Sequence, residues 1–318
     1  MPHLLNVNYL TQRLFIAILT CCTLFSCSEK KQATEQQTKD SQKIAVLLVN
    51  HGSHSPTWRK ALTDLDSTVR GTILKDKRIS DVKTAFMEYT EPSIATRMKQ
   101  FDSAGYTDVI IVPIFLTVSS HSFDDIPTII GTKEDPQSLE TLKIEKIERY
   151  VAKAKTHITP LLDFTTILEQ NILRRYQAIS KNSKDEGLAL IAYGDAGYND
   201  EWSALMDSVG QHVIANTELT TYSYNWCGHI AHYNPDSTTI AINEVLQEKP
   251  SAVVMPVLVA HDEMFQVKII GDGINAISDH SNKVIYRPDA ILPDKNVEDW
   301  VISIVATHAD HITSNRIM

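Results

Sequence analysis

The chain has 318 residues, 43% of them hydrophobic, and a formal net charge of −9. That length allows one large core or two domains, and the acidic balance argues against a nucleic-acid partner and against a basic membrane-binding surface. Of the four cysteines, only Cys227 lies beyond residue 27, which leaves no internal disulfide framework to stabilise the body.

Leu14 to Phe25 is apolar and is preceded by Arg13. The run is too short for a membrane-spanning helix and suits the apolar region of a signal peptide. It closes on Leu24-Phe25-Ser26-Cys27, which resembles a bacterial lipobox. The resemblance implies a lipoprotein signal over residues 1–27, lipidated at Cys27, and an exported, membrane-anchored protein facing the periplasm or the cell surface. A buried N-terminal helix is the weaker reading. Ser28 to Gln42 holds no apolar residue larger than alanine and reads as a flexible tether over 28–42.

The body opens with a buried-strand pattern, Lys43 to Asn50, followed by His51-Gly52-Ser53-His54 and a helical spacing from Trp58 to Leu74. Asp81 to Glu88 reads as a second strand, and Pro92 to Ala104 as a helix closed by Gly105. Glu91, beside that helix, can be read as favouring its dipole; Glu88 lies earlier, at the strand end. Val109 to Leu116 is a third strand, ending in Thr117, Ser119, Ser120 and His121, with Asp124, Asp125 and Pro127 marking a helix start. Leu142 to Ile147 reads as a fourth strand and Pro160 to Ile179 as a long helix. The alternation predicts a parallel sheet covered by helices on both faces. His51, Glu88 and His121 each fall at the carboxyl end of a strand, where open α/β sheets bind ligands. Taken singly, each histidine could equally be a surface residue in a polar loop. The loop after the first strand lacks GxGxxG, and its two histidines suit metal or proton chemistry better than phosphate.

The second half repeats the first. Leu188 to Gly194 matches Val46 to Gly52 at a shift of 142, and Asn234-Pro235 matches Glu91-Pro92 at 143. Val253 to Leu258 matches Ile110 to Phe115 at the same 143. A near-constant shift of this size implies two similar domains, 43–182 and 183–318. Tyr193 replaces His51, Glu88 has no acidic counterpart, and His261 roughly matches His121 across a shortened loop. His229-x-x-His232 with His261, Asp262 and Glu263 could hold a second metal ion or a ligand ring. Ordinary polar loop residues lining a shared cleft account for them equally well.

Val46 to Ser53, Phe86 to Glu88, Glu91 to Ile94 and Val112 to Pro127 together resemble the class II chelatases, in particular the sirohydrochlorin cobaltochelatase and ferrochelatase branch. The resemblance implies an α/β fold of two similar Rossmann-like, chelatase-type domains, each a four-stranded parallel sheet, facing one another across a cleft for a tetrapyrrole. It implies His51, Glu88 and His121 as catalytic and metal-handling residues, and insertion of Co²⁺, with Fe²⁺ or Ni²⁺ as further candidates, into a sirohydrochlorin-like ring. His54 stands where the family commonly has another basic or polar residue. Export would be unusual for cytoplasmic tetrapyrrole biosynthesis. It leaves room for a scavenging lipoprotein that binds tetrapyrrole, haem or metal for an outer-membrane or periplasmic transport partner, or for a dechelatase.

Overall fold

The computed structural model describes residues 42–161 and 164–314. The leader reading over Leu14 to Cys27 and nearly all of the tether reading lie outside these residues. Among the described residues no helix is long and apolar enough to cross a membrane.

The first sheet holds β1 (Ile44–Asn50), β2 (Ile79–Phe86), β3 (Asp108–Pro113) and β4 (Lys155–Ile158) in the order β2-β1-β3-β4. The second holds β5 (Glu186–Ala192), β6 (Tyr222–Trp226), β7 (Ser251–Val257) and β8 (Val284–Tyr286) in the same relative order, β6-β5-β7-β8. Every pairing is parallel. The helices of the first half are α1 (Pro56–Ile73), α2 (Ile94–Ser103), α3 (Ile126–Ile129) and α4 (Pro136–Ile144). Then come α5 (Phe164–Ile179), α6 (Asn199–Ala215), α7 (Asp236–Leu246), α8 (Gly271–Asn275), α9 (His280–Lys283) and α10 (Lys295–Ser314). The duplicated α/β architecture expected from the repeat is the one observed.

The fourth strand of the first sheet is not where the sequence pattern put it. Residues up to Ile144 belong to α4, which starts at Pro136 behind Asp135, whose side chain accepts the Ser138 N–H at 2.8 Å. A capping aspartate and a proline at the first helical position favour helix over the short apolar run. The strand itself, Lys155–Ile158, is polar because it is the sheet's edge and partly exposed.

Alternation along β1 divides the core. Ile44, Val46 and Leu48 share one continuous cluster with Leu188 and Leu190 of β5 and Val253 and Met255 of β7. Ala45, Leu47 and Val49 belong to a separate cluster with α2. The shared layer also takes in α1, α5, α6 and α10. Within it the last helix of each half crosses over: α10 packs on β3, and α5 packs on β7. Buried polar ties fix the exchange. Asn171 on α5 donates to the Ile291 carbonyl at 3.1 Å, and Arg175 pairs with Asp289.

Since one core runs through both halves, the two should unfold together. Leu190→Ala, at a fully buried position of β5, should cost about 2–5 kcal/mol. In denaturant titration, probes in the two sheets should report one coincident transition; two separate midpoints would contradict a shared core.

Candidate functional site

In each sheet the chain leaves its first strand one way and returns on the other side, so the switch point falls between β1 and β3, and between β5 and β7. The loops that follow these four strands surround one cavity of about 970 Å³. His51 enters it after β1 and His121 after β3, while Tyr193 and Phe265 face it from the second half.

The close approach of Gly52 to the strand end at Glu88 builds the first part of the site. Glu88 N–H donates to the His51 carbonyl at 3.0 Å. Gly52 has φ +108°, and a Cβ there would lie 2.0 Å from the Glu88 carbonyl oxygen, so only glycine fits. The backbone contact sets the side chains face to face: His51 Nε2 lies 2.9 Å from Glu88 Oε1. His121 begins a π-helical turn, His121–Asp125, which runs directly into α3. Its Nδ1 lies 2.8 Å from Asp125 Oδ2, a buried carboxylate that orients the ring. The His51 and His121 rings meet edge-on with centroids 4.6 Å apart. One donor atom each from His51, Glu88 and His121 lies within 4.8 Å of the other two, the one such metal-capable group among the described residues. Glu88 does not line the cavity and is reached through His51.

The electrostatics follow from this packing. Burial opposes a charge on His51. Its hydrogen bond to Glu88, that carboxylate's charge and the Gly52 carbonyl outweigh burial and raise its pKa above the ordinary histidine value. Burial pushes the Glu88 carboxyl up, and the His51 hydrogen bond with the charges of His51 and His121 more than reverses it, holding Glu88 below the usual range. His51 Nδ1 faces the Gly52 carbonyl at 3.0 Å while Nε2 faces a carboxylate. Both ring nitrogens therefore meet acceptors, and a proton or a cation belongs between His51 and Glu88.

The second-half histidines separate. His229 lines the cavity, with the Tyr233 hydroxyl 2.9 Å from its Nδ1. Burial, then repulsion from His121 and His51, lowers its pKa. His232 and His261 do not line the cavity, and the three do not form a metal-capable group. His261 stands two residues before the π-helix Glu263–Ile270, whereas His121 begins the corresponding turn, so the two are not positional equivalents. The loop between strand and π-helix is shorter in the second half, 258–262 against 114–120, and Glu263, the first residue of its π-helix, stands where His121 does. His54 lines the cavity with its ring 4.9 Å from Tyr89, outside the His51 group.

The loops also join the two halves by reciprocal bonds that sequence reasoning missed. Ser53 Oγ donates to Asp262 at 2.6 Å, and Ser120 Oγ donates to Asp195 at 2.9 Å. Ser53 and Asp195 are 142 apart, as are Ser120 and Asp262, so the repeat shift itself carried this signal. Ser55 and Thr57 both donate to Glu263 at 2.7 Å and lower its carboxyl pKa to about 2.

The family model CbiX matches residues 45–179. Over 100 residues the chain is 35% identical to the sirohydrochlorin cobaltochelatase of Methanococcoides burtonii, covering 31% of this chain and 72% of that one. The chain belongs to the CbiX family of class II chelatases. A second relative, the sirohydrochlorin cobaltochelatase of Methanococcus maripaludis, is 32% identical over 90 residues, 28% of this chain and 60% of its own length. The family match spans the half that carries His51, Glu88 and His121. The likeness of fold spans both halves: SirB from Bacillus subtilis with Fe³⁺ superposes at a TM-score of 0.60 and 15% identity, covering 86% of this chain and 98% of that one. SirB from Bacillus subtilis subspecies spizizenii in complex with cobalt gives a TM-score of 0.56 at 14% identity, covering 85% and 96%.

The raised His51 pKa has a defined sign. The His51–Glu88 pair contributes its full stability below the unfolded histidine pKa of about 6.5 and loses it as pH rises through the higher folded value. In metal-free protein the His51 ring resonances should titrate above the ordinary histidine midpoint. In Glu88→Gln they should titrate well below the wild-type midpoint, since the carboxylate's charge is lost while the opposing effect of burial stays. An unmoved midpoint would show that Glu88 does not hold the proton.

Proposed function

We propose that this chain is a tetrapyrrole metal chelatase that receives a divalent cation at His51, Glu88 and His121 and passes it to a ring in the adjoining cavity. The observation that carries the reading is the convergence of these three donors beside a cavity of about 970 Å³. That volume is at the upper end of the range of about 300–1,000 Å³ typical of small-molecule sites. Family membership and the relatives' names support it.

The chemistry balances. Insertion removes two N–H protons from the ring as the metal forms bonds to its nitrogens. When the cation leaves His51 and Glu88, those groups again face each other with nothing between them, and a proton from the ring restores the pair. His121 keeps Nδ1 on Asp125 and offers Nε2, first as a donor to the metal and then as a second proton acceptor. Two imidazoles and one carboxylate suit Co²⁺, Fe²⁺ or Ni²⁺, and the relatives' names put Co²⁺ first. His121→Ala and His51→Ala should each lower Co²⁺ insertion on the order of a hundredfold or more, His51→Ala also losing the stability of the pair with Glu88. Glu88→Gln should lower kcat more than it weakens metal binding. Undiminished insertion in the His51, His121 double variant would overturn the assignment.

Export with lipidation at Cys27 is the localisation we propose, on the strength of the lipobox-like Leu24 to Cys27; such a protein would work beside a transport partner. Mass spectrometry of the N-terminus in the native host should find a lipidated Cys27 as the first residue, lost in Cys27→Ser. An unmodified, uncleaved terminus would refute it.

A further inference from the structure

The cavity's charge is unusual for a site facing polycarboxylate rings. Five aspartates line it (Asp124, Asp125, Asp135, Asp195 and Asp262), and among the described residues no lysine or arginine does. The two cations that reach lining residues are engaged: Arg59 donates to the Ser53 carbonyl at 2.6 Å, and Lys133 is paired with Asp124. Beside histidines and neutral hydroxyl and amide side chains, the wall carries many aromatic rings, among them Trp58, Tyr89, Phe115, Tyr193, Tyr198 and Phe265. Apolar groups continue to the surface there. Tyr89, Tyr233 and Met264 are cavity-lining residues that remain 50%, 37% and 49% exposed, and exposed Phe123 packs on Tyr198. Tyr89 is also held at φ +64°, a left-handed conformation costly for an aromatic residue.

Sirohydrochlorin and uroporphyrin are octacarboxylates with acidic chains on all four pyrrole rings. Whichever edge leads, carboxylates would enter a wall of aspartates with no fixed cation to meet them, and burying an unpaired charge is costly. A dicarboxylate porphyrin carries both acids on one edge, so its apolar edge can lead, its faces stack on the aromatic wall, and its acids stay in water.

Building on the chelatase reading, we infer that the ring accepted here is a tetrapyrrole with few carboxylates gathered on one edge, the dicarboxylate porphyrin class, rather than an octacarboxylate. The discriminating elements are the five aspartates of the wall, of which Lys133 neutralises one, and the aromatic side chains between those aspartates.

The test uses the purified full chain with uroporphyrin III, coproporphyrin III, protoporphyrin IX and sirohydrochlorin. Binding is read by quenching of tryptophan fluorescence, and Co²⁺ insertion by absorbance. The dicarboxylate should bind about tenfold or more tighter than the octacarboxylates and should be metallated fastest. Added salt should narrow the gap by screening the aspartates. Met264→Arg, at the exposed rim, should raise affinity for uroporphyrin. Phe265→Asp should weaken protoporphyrin binding; unchanged binding in that variant would place the porphyrin outside the cavity and overturn the inference. Rapid metallation of sirohydrochlorin with protoporphyrin IX untouched would overturn the inference and leave the chelatase reading standing. Failure to bind or metallate any of the four would remove both.

Discussion

The contact on which the site depends is a backbone contact, the approach of Gly52 to the carbonyl of Glu88. With 2.0 Å between that oxygen and the place a Cβ would occupy, the loop after β1 and the end of β2 can meet only through a glycine with positive φ. The contact lets Met87 and Glu88 N–H both reach the His51 carbonyl, at 3.1 and 3.0 Å. Two residues thirty-seven apart in sequence thereby hold a fixed relative geometry before any side chain is considered. The ion pair of His51 with Glu88 is a consequence. Parallel pairing of β1 with β3 then carries the same frame to His121.

The larger frame is reciprocal. The first half gives two loop serines and the second two loop aspartates, paired as Ser53 with Asp262 and Ser120 with Asp195. Each half also gives its last helix to the other's sheet, with α5 on β7 and α10 on β3. Such an exchange explains why Leu48 and Leu190, from different repeats, lie in one apolar cluster. It makes the cavity wall a product of the whole described body, so the walls keep their separation without depending on a hinge. A ring-binding cleft benefits from that rigidity, since a misplaced acceptor ring separates the reacting atoms.

Much of this was legible from strand-end logic. His51, Glu88 and His121 terminate consecutive strand patterns, and parallel strands bring such ends to one edge. What escaped did so for physical reasons. β4 was hidden because an edge strand can be polar, and Lys155–Ile158 shows no apolar alternation. Asp125 read as a helix-start acid because His121 was placed in the loop before the helix; the helical turn begins at His121 itself and sets the two residues side by side. His261 looked like the partner of His121 because histidine drew the alignment, while the register of the π-helices assigns that place to Glu263. The exchange of α5 and α10 is invisible to a repeat search, which finds similarity between halves and says nothing of which half each helix covers.

The halves diverge at the three positions that matter most. Where the first has His51, the second has Tyr193, whose hydroxyl pKa burial drives upward. Where the first has Glu88, the backbone pattern assigns Gly228, whose N–H donates to the Tyr193 carbonyl at 3.0 Å as Glu88 N–H does to His51. Where the first has His121, the second has Glu263, whose carboxylate is taken up by Ser55 and Thr57. The first two replacements remove an imidazole and a carboxylate, and the third turns its carboxylate to Ser55 and Thr57, so among the described residues the set of donors is not repeated. A cation needs donors converging from one side, and a planar ligand needs a wall opposite them. A duplication that kept both sets of donors would place two cations across one cavity, repelling each other and competing for the same ring centre. Loss of the second set is therefore what the chemistry of a single insertion requires, and His229, held at a depressed pKa by burial and by His121 and His51, is the histidine of that half that lines the cavity.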